Sequence, residues 1–197
     1  LFARYQGEEK LPSHAPELGI PRILYFHEMF PFWEAFFTEL GYRVVLSDVT
    51  NKELIRKGVE NVVAETCFPI KVSHGHVLNL LEKGVKRIFL PSIINLETSH
   101  PEIPNSAACP YAQSFPYAVP SSIDFKKNDV KMLQPILHFG LGKENLEKEL
   151  VKFGKSLHRG SRQSNSRCRM AAKAGATSAG GRRARWTTAR ILSAVLG

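Results

Sequence analysis

Between residues 21 and 93 the chain alternates short, continuous apolar runs with longer stretches of helical periodicity. The run "PRILYF" (21–26), placed just after Gly19, reads as a strand. "PFWEAFFTELGY" (31–42) opens on Pro31, carries Phe32, Trp33, Phe36 and Phe37 at helical spacing, and stops at Gly41. "YRVVLSD" (42–48) reads as a second strand and "NKELIRKG" (51–58) as a short helix closed by Gly58. "PIKVSHGHVLNLLEKG" (69–84) predicts a helix with Val72, Val77, Leu80 and Leu81 on one face, and "KRIFLPSI" (86–93) a third strand. Unbroken apolar strands separated by helices indicate right-handed crossovers and a parallel sheet covered on both sides. The expected fold is therefore α/β and Rossmann-like, a mainly parallel sheet with helices on both faces. Strands near 22–26, 43–47 and 87–91 should be parallel neighbours, with Phe32, Phe36, Phe37 and Leu40 buried.

Composition changes this picture only at the C-terminal end. The 197 residues carry a net charge of +9, which invites a nucleic-acid reading. Its distribution argues otherwise. Residues 1–157 hold 18 Lys and Arg against 18 Asp and Glu, whereas residues 158–197 hold eight Arg, one Lys and no acid. The segment "RGSRQSNSRCRMAAKAGATSAGGRRAR" has few large apolar side chains to offset the entropy of ordering, and Trp186 is its only following aromatic. Only "RWTTARILSAVLG" has the makings of an apolar-faced helix. The expected organisation is one domain over 17–157 and a basic, irregular, low-complexity tail over 158–197, expected to contact the domain little. So abrupt a change reads as a shift of reading frame or a foreign extension; a genuine basic tail for nucleic acid or anionic lipid is the alternative.

The N-terminus has no long apolar run and no initiator Met, which reads as a piece of something longer, and no stretch is apolar for long enough to span a membrane. Three cysteines, Cys67, Cys109 and Cys168, form no close pair and suggest a reducing, cytoplasmic compartment. Ligands of open α/β sheets bind beyond the carboxyl ends of the strands, which here carry His27–Glu28, Ser47–Asp48 and Pro91–Ser92. Cys67, in "ETCFPIKVSHGH", lies just before a proline-started helix, and Cys109, in "AACPYAQSFPY", immediately precedes Pro110. At a helix N-terminus the partial positive charge favours thiolate, the form that ligates an iron–sulfur cluster. Against this stands the reading of each cysteine as a small buried hydrophobe, and the 41 residues between them match no metal-binding spacing. Lys71 reads equally as a solvated lysine or as a cation beside a thiolate-bound cluster. His74 and His76 point to different helix faces and read as packing or hydrogen-bonding residues. There is no glycine-rich phosphate loop, no H-E-x-x-H and no G-x-S-x-G, so no catalytic residue is assigned.

The ordered series "GIPR", "FPFW…FFTELG", "VVLS", "CFPIK…HGH" and "CPY", spread over residues 17–157, resembles the acyl-CoA dehydratase activase-related proteins, of the 2-hydroxyglutaryl-CoA dehydratase and benzoyl-CoA reductase group. The resemblance implies an iron–sulfur protein supporting ATP-dependent, low-potential electron transfer to an acyl-CoA dehydratase or reductase. It implies that Cys67 and Cys109 are ligands of a cluster, expected to be of the 4Fe–4S type. It also implies that actin-like-fold ATPase and dehydratase-like regions of a larger polypeptide accompany this one, which by itself lacks an ATP site and is expected to be inactive. Some members carry a cysteine after the strand corresponding to "IFLP", where this chain has Ser92. Such a cluster commonly takes four thiolates, so two cysteines make half a site, and Cys168 in the tail is a poor third. Two other functions are open: a cluster-free scaffold that docks a partner enzyme, and nucleic-acid binding through the Arg-rich tail.

Overall fold

The computed structural model describes residues 11–12, 14–98, 102, 106–157 and 168–173. Its centre is a four-stranded parallel sheet in the order β2-β1-β3-β5, made of β1 (Glu17–Ile20), β2 (Arg43–Leu46), β3 (Arg87–Phe89) and β5 (Lys131–Leu133). The ladder from β3 and β5 carries on past Pro91 and Pro135 into β4 (Ser92–Asn95) and β6 (Ile136–His138), which pair in parallel beyond the main sheet. Helix α1 (Phe26–Glu39) joins β1 to β2. Helices α2 (Lys52–Glu60) and α3 (Phe68–Glu82) join β2 to β3, α4 (Pro110–Ala118) follows β4, and α5 (Lys143–Leu157) follows β6. The α/β, mainly parallel architecture expected from the sequence is present.

The sheet is buried on both faces because its central strands present apolar groups alternately. Leu18, Ile20 and Phe89 enter one core with Phe32, Trp33, Phe36 and Phe37 of α1 and with Leu146, Leu150 and Phe153 of α5. Ile88 enters the other core with Val77 and Leu80 of α3 and with Phe115 of α4. Phe32, Phe36, Phe37 and Leu40 are all buried, as expected. Rings of α1 meet Phe89 tilted or edge-on and Phe153 stacked or edge-on, with Trp33 and Phe89 centroids 4.6 Å apart.

Several boundaries differ from the expectation. The first strand is Glu17–Ile20, not 21–26: Pro21 ends it, and Ile23 N–H donates to the Pro21 carbonyl, turning the apolar run into the start of α1. Helix α1 therefore begins at Phe26 and contains Pro31 in its second turn. Burial of Phe26, Met29, Phe30 and Trp33 outweighs the roughly 3 kcal/mol cost of an internal proline. His27 and Glu28 lie in its first turn rather than at a strand end. Gly58 does not close α2, which runs on to Glu60. It lies where α2 crosses α3: a Cβ on Gly58 would collide with the Lys71 carbonyl, and one on Gly75 with the Leu54 carbonyl.

The segment after 157 also differs from the expectation of little contact. Residues 168–173 are helical, and Cys168, Ala171 and Ala172 are buried in the core shared by α1 and α5. Cys168 Sγ is so close to Gly154 that a Cβ there would lie 2.7 Å from it. The i, i+3, i+4 pattern of burial is helical, but it is carried by small side chains that composition does not flag. The other residues of the expected tail lie outside the described residues. Because α2 and α3 meet backbone to backbone, Gly58→Ala or Gly75→Ala should destabilise the domain by about 2–3 kcal/mol, measured as a lowered midpoint of urea unfolding.

Candidate functional site

A parallel strand delivers the chain to the carboxyl edge of the sheet, so each crossover helix begins there. Strand order reverses between β1 and β3, since α1 leads to one side of β1 and the α2–α3 connection returns to the other. At that reversal a narrow apolar cleft opens, lined by Ile23, Leu24 and Tyr25 after β1, Pro91 after β3, and Ala112 and Phe115 of α4. Open α/β sheets take their ligands at this place.

Both expected cysteines stand at helix starts around this edge. Cys67 is the N-cap of α3, in extended conformation with Pro69 following, and its carbonyl accepts from Ile70 and Lys71 N–H. Cys109 is the N-cap of α4 with Pro110 in the first helical position, and its carbonyl accepts from Gln113 N–H. Neither thiol makes a capping hydrogen bond, and both residues are exposed. The two helices run in the same direction on one face of the sheet. His74 of α3 and Phe115 of α4 meet edge-on at 5.2 Å between ring centroids. With a rise of about 1.5 Å per residue, Cys67 stands roughly 10 Å above that contact and Cys109 roughly 9 Å above it. The helix starts are thus at matching height.

Their surroundings are specific. Lys71 Nζ pairs with Glu65 Oε2 at 2.8 Å, two residues ahead of Cys67, so it is neither simply solvated nor free. Gln113 holds the start of α4 to β4 by donating to the carbonyls of Ala108 (2.7 Å) and Ile94 (3.2 Å). Ser92, buried, donates to the Gln113 carbonyl at 2.8 Å. Tyr25 reaches Cys109 from the far side of the cleft. Burial pushes its phenol above the ordinary range; the Cys109 backbone N–H pulls the other way, and negative charge at Cys109 raises it further. Cys168, in contrast, is sealed in the core beside α5, where burial raises its thiol pKa, and the structure does not bring it to this edge.

A second polar group lies at the end of β2, and sequence reasoning reached only part of it. Ser47 Oγ accepts from Arg22 N–H (2.8 Å) and contacts His76 Nδ1 (2.8 Å), while His76 Nε2 meets Thr50 Oγ1 (3.0 Å). Arg22 Nε also donates to the Ser47 carbonyl at 2.8 Å. Lys83 and Asn79 bind Asp48 and hold its carboxyl below the usual range. His76 is fully buried with both ring nitrogens occupied, and His74 Nδ1–H donates to the Ile70 carbonyl at 2.9 Å. Both histidines are structural, as their spacing indicated. Arg22 and Thr50 were not anticipated, because the first strand was placed four residues too late to set Arg22 beside Ser47.

The donor set suits a soft-metal cluster in kind but only half in number. Among the described residues, no group of three His, Cys, Asp or Glu side chains is arranged to hold a metal ion. No helix among them is long and apolar enough to cross a membrane.

Burial, reinforced by the nearby Arg22 charge, lowers the His76 pKa to about 4. An unfolded chain would take up a proton there near pH 6.5, which the folded chain refuses until about pH 4. Stability is therefore complete above pH 6.5 and lost as the pH falls towards 4. The loss is on the order of 2 kcal/mol, allowing for partial solvent screening. Urea unfolding at pH 7 and pH 4.5 should show it in the parent and not in His76→Gln.

No curated protein and no solved structure matches the chain. A family model described as the CoA enzyme activase uncharacterised domain matches residues 17–190, which takes in the sheet, both cysteine-capped helices and the packed segment 168–173. With its parallel sheet and two thiols at the carboxyl edge, the chain belongs to the CoA enzyme activase uncharacterised-domain family.

Proposed function

We propose that this domain provides two of the ligands of an iron–sulfur cluster serving the activation of a CoA enzyme. The observation that supports this best is the repeated arrangement of Cys67 and Cys109. Each is an exposed N-cap before a proline-bearing helix start, and the two neighbouring helices begin at one edge of the sheet. The helix dipoles favour thiolate at both positions. Three unpaired cysteines suit a reducing, cytoplasmic setting.

A bound cluster supplies one-electron transfer at low potential. The chain's own residues hold it and shape its surroundings. Cys67 and Cys109 furnish thiolates, while Lys71, anchored by Glu65, adds positive charge one turn below Cys67. The apolar cleft borders the first turns of α4 through Ala112 and Phe115, beside the Cys109 N-cap. The remaining ligands, and the ATP hydrolysis that drives electrons to low potential, come from other regions of a larger polypeptide or from the partner CoA enzyme. Exposed Phe68 and Tyr111 stand beside the two cysteines, where such a partner would cover them.

Anaerobic reconstitution of the chain with ferrous iron, sulfide and dithiothreitol tests the reading. The parent should become brown, with the broad visible absorbance of an iron–sulfur cluster. Cys67→Ala and Cys109→Ala should each abolish the colour and leave far-ultraviolet circular dichroism unchanged, whereas Cys168→Ala should keep it. A colourless parent protein would sink the cluster and leave a docking module with structural cysteines.

A further inference from the structure

Strand β2 is the outer strand of the main sheet, and among the described residues it pairs only with β1. The Arg43 and Ser47 N–H groups donate inward, to the carbonyls of Pro16 and Ile20. Inward and outward groups alternate along a parallel ladder, so Val44 and Leu46 turn their backbone polar groups outward. The Leu46 carbonyl accepts from Lys83 Nζ at 2.8 Å. The Val44 N–H and carbonyl and the Leu46 N–H have no partner among the described residues. Strands of parallel sheets are ordinarily buried on both faces, yet all four residues of β2 are only half-buried.

An open groove of about 780 Å³ lies beside this strand. Its two sides differ. Val44 and Leu46 pack towards the core that holds α1, and Leu11 and Phe30 line the groove with them, so this side is mainly apolar, with Glu34 its one acid. Val45 packs towards the core that holds α3, and Arg43, two positions before it, shares that face. Lys83, the C-cap of α3, lines the groove there and is paired with Asp48 at 2.7 Å. Arg43 is held more loosely, 3.8 Å from Glu17. Charged side chains commonly guard an exposed edge against pairing. Here the two cations stand on one face opposite an apolar one, an arrangement that selects an occupant instead of excluding all. We propose that the groove along β2 takes an extended segment of a partner protein as an added strand, its apolar residues towards α1 alternating with acidic residues towards Arg43 and Lys83. The backbone of that segment completes the hydrogen bonds that Val44 and Leu46 leave open, and its period of two matches the two sides of the groove. Neither Cys67 nor Cys109 takes part, so the outcome of iron reconstitution leaves the docking site untouched.

The test uses the full chain and a short, labelled synthetic peptide of alternating valine and glutamate. Fluorescence anisotropy reads binding, and amide hydrogen exchange reads its place. The peptide should bind saturably and slow exchange at Val44 and Leu46 more than at Val45, whose N–H is already bonded to β1. Methylating alternate peptide nitrogens removes strand pairing and keeps side chains and charge. It should weaken binding about tenfold, as should lysine in place of glutamate. Arg43→Glu should shift the preference towards the lysine peptide. Equal affinity of the methylated peptide overturns the proposal by reducing the contact to charge alone, the Arg-rich C-terminal residues included. Exchange at Val44 and Leu46 that is slow before any peptide is added also overturns it, because the chain itself or a second copy then covers the edge. Failure of the alternating peptide to bind overturns it as well.

Discussion

Parallel strands cannot be joined by short hairpins, and this constraint governs the placement of every chemically interesting residue in the molecule. Each strand of the β2-β1-β3-β5 sheet must be followed by a crossover, and each crossover leaves from the same edge. The loop after β1 carries Tyr25, the one after β2 carries Ser47 and Asp48, and the connection after β4 carries Cys109. Cys67 belongs to the same edge because α2 rises away from the sheet and α3 descends back to it. Residues distant in sequence thus converge without any contact dedicated to bringing them together.

The two polar centres at this edge differ in character. The network of Arg22, Ser47, Thr50 and His76 is centred on the buried Ser47 and His76, whose hydrogen bonds to half-buried Arg22 and exposed Thr50 fix the end of β2 against α3. The thiols of Cys67 and Cys109 are exposed and make no capping bonds. Saturated polar groups rigidify a fold, while unsatisfied ones at its surface are available for chemistry. The separation explains why His74 and His76, though close in sequence to Cys67, contribute to the scaffold and not to the candidate ligand set.

Much of this was legible in the sequence. The helix-spaced aromatics of 31–40, the run "RVVL" and the proline after each cysteine led to elements the structure contains. Three things were hidden, each for a physical reason. "ILYF" is apolar enough for a strand, but Pro21 and the left-handed Leu24 turn it into a helix entry, so local composition lost to backbone geometry. Gly58 looked like a helix stop, because a close helix crossing and a terminus both call for glycine. The helix at 168–173 packs through Cys168, Ala171 and Ala172, whose small size hid a core contribution inside a stretch read as low complexity. At the site, the thiols were legible from spacing to proline. The place of Tyr25 in the cleft was not, since it follows from a left-handed turn at Leu24 that propensity would not choose.

The burial of Cys168 against Gly154 gives the molecule an internal gauge of its own integrity. A thiol reagent that reacts only with accessible sulfur meets Cys67 and Cys109 in the folded chain and finds the third sulfur only after the helical residues 168–173 have peeled from α5. The rate at which that third sulfur becomes labelled therefore reports the local opening of the helix around Cys168, separately from the unfolding of the sheet it leans upon.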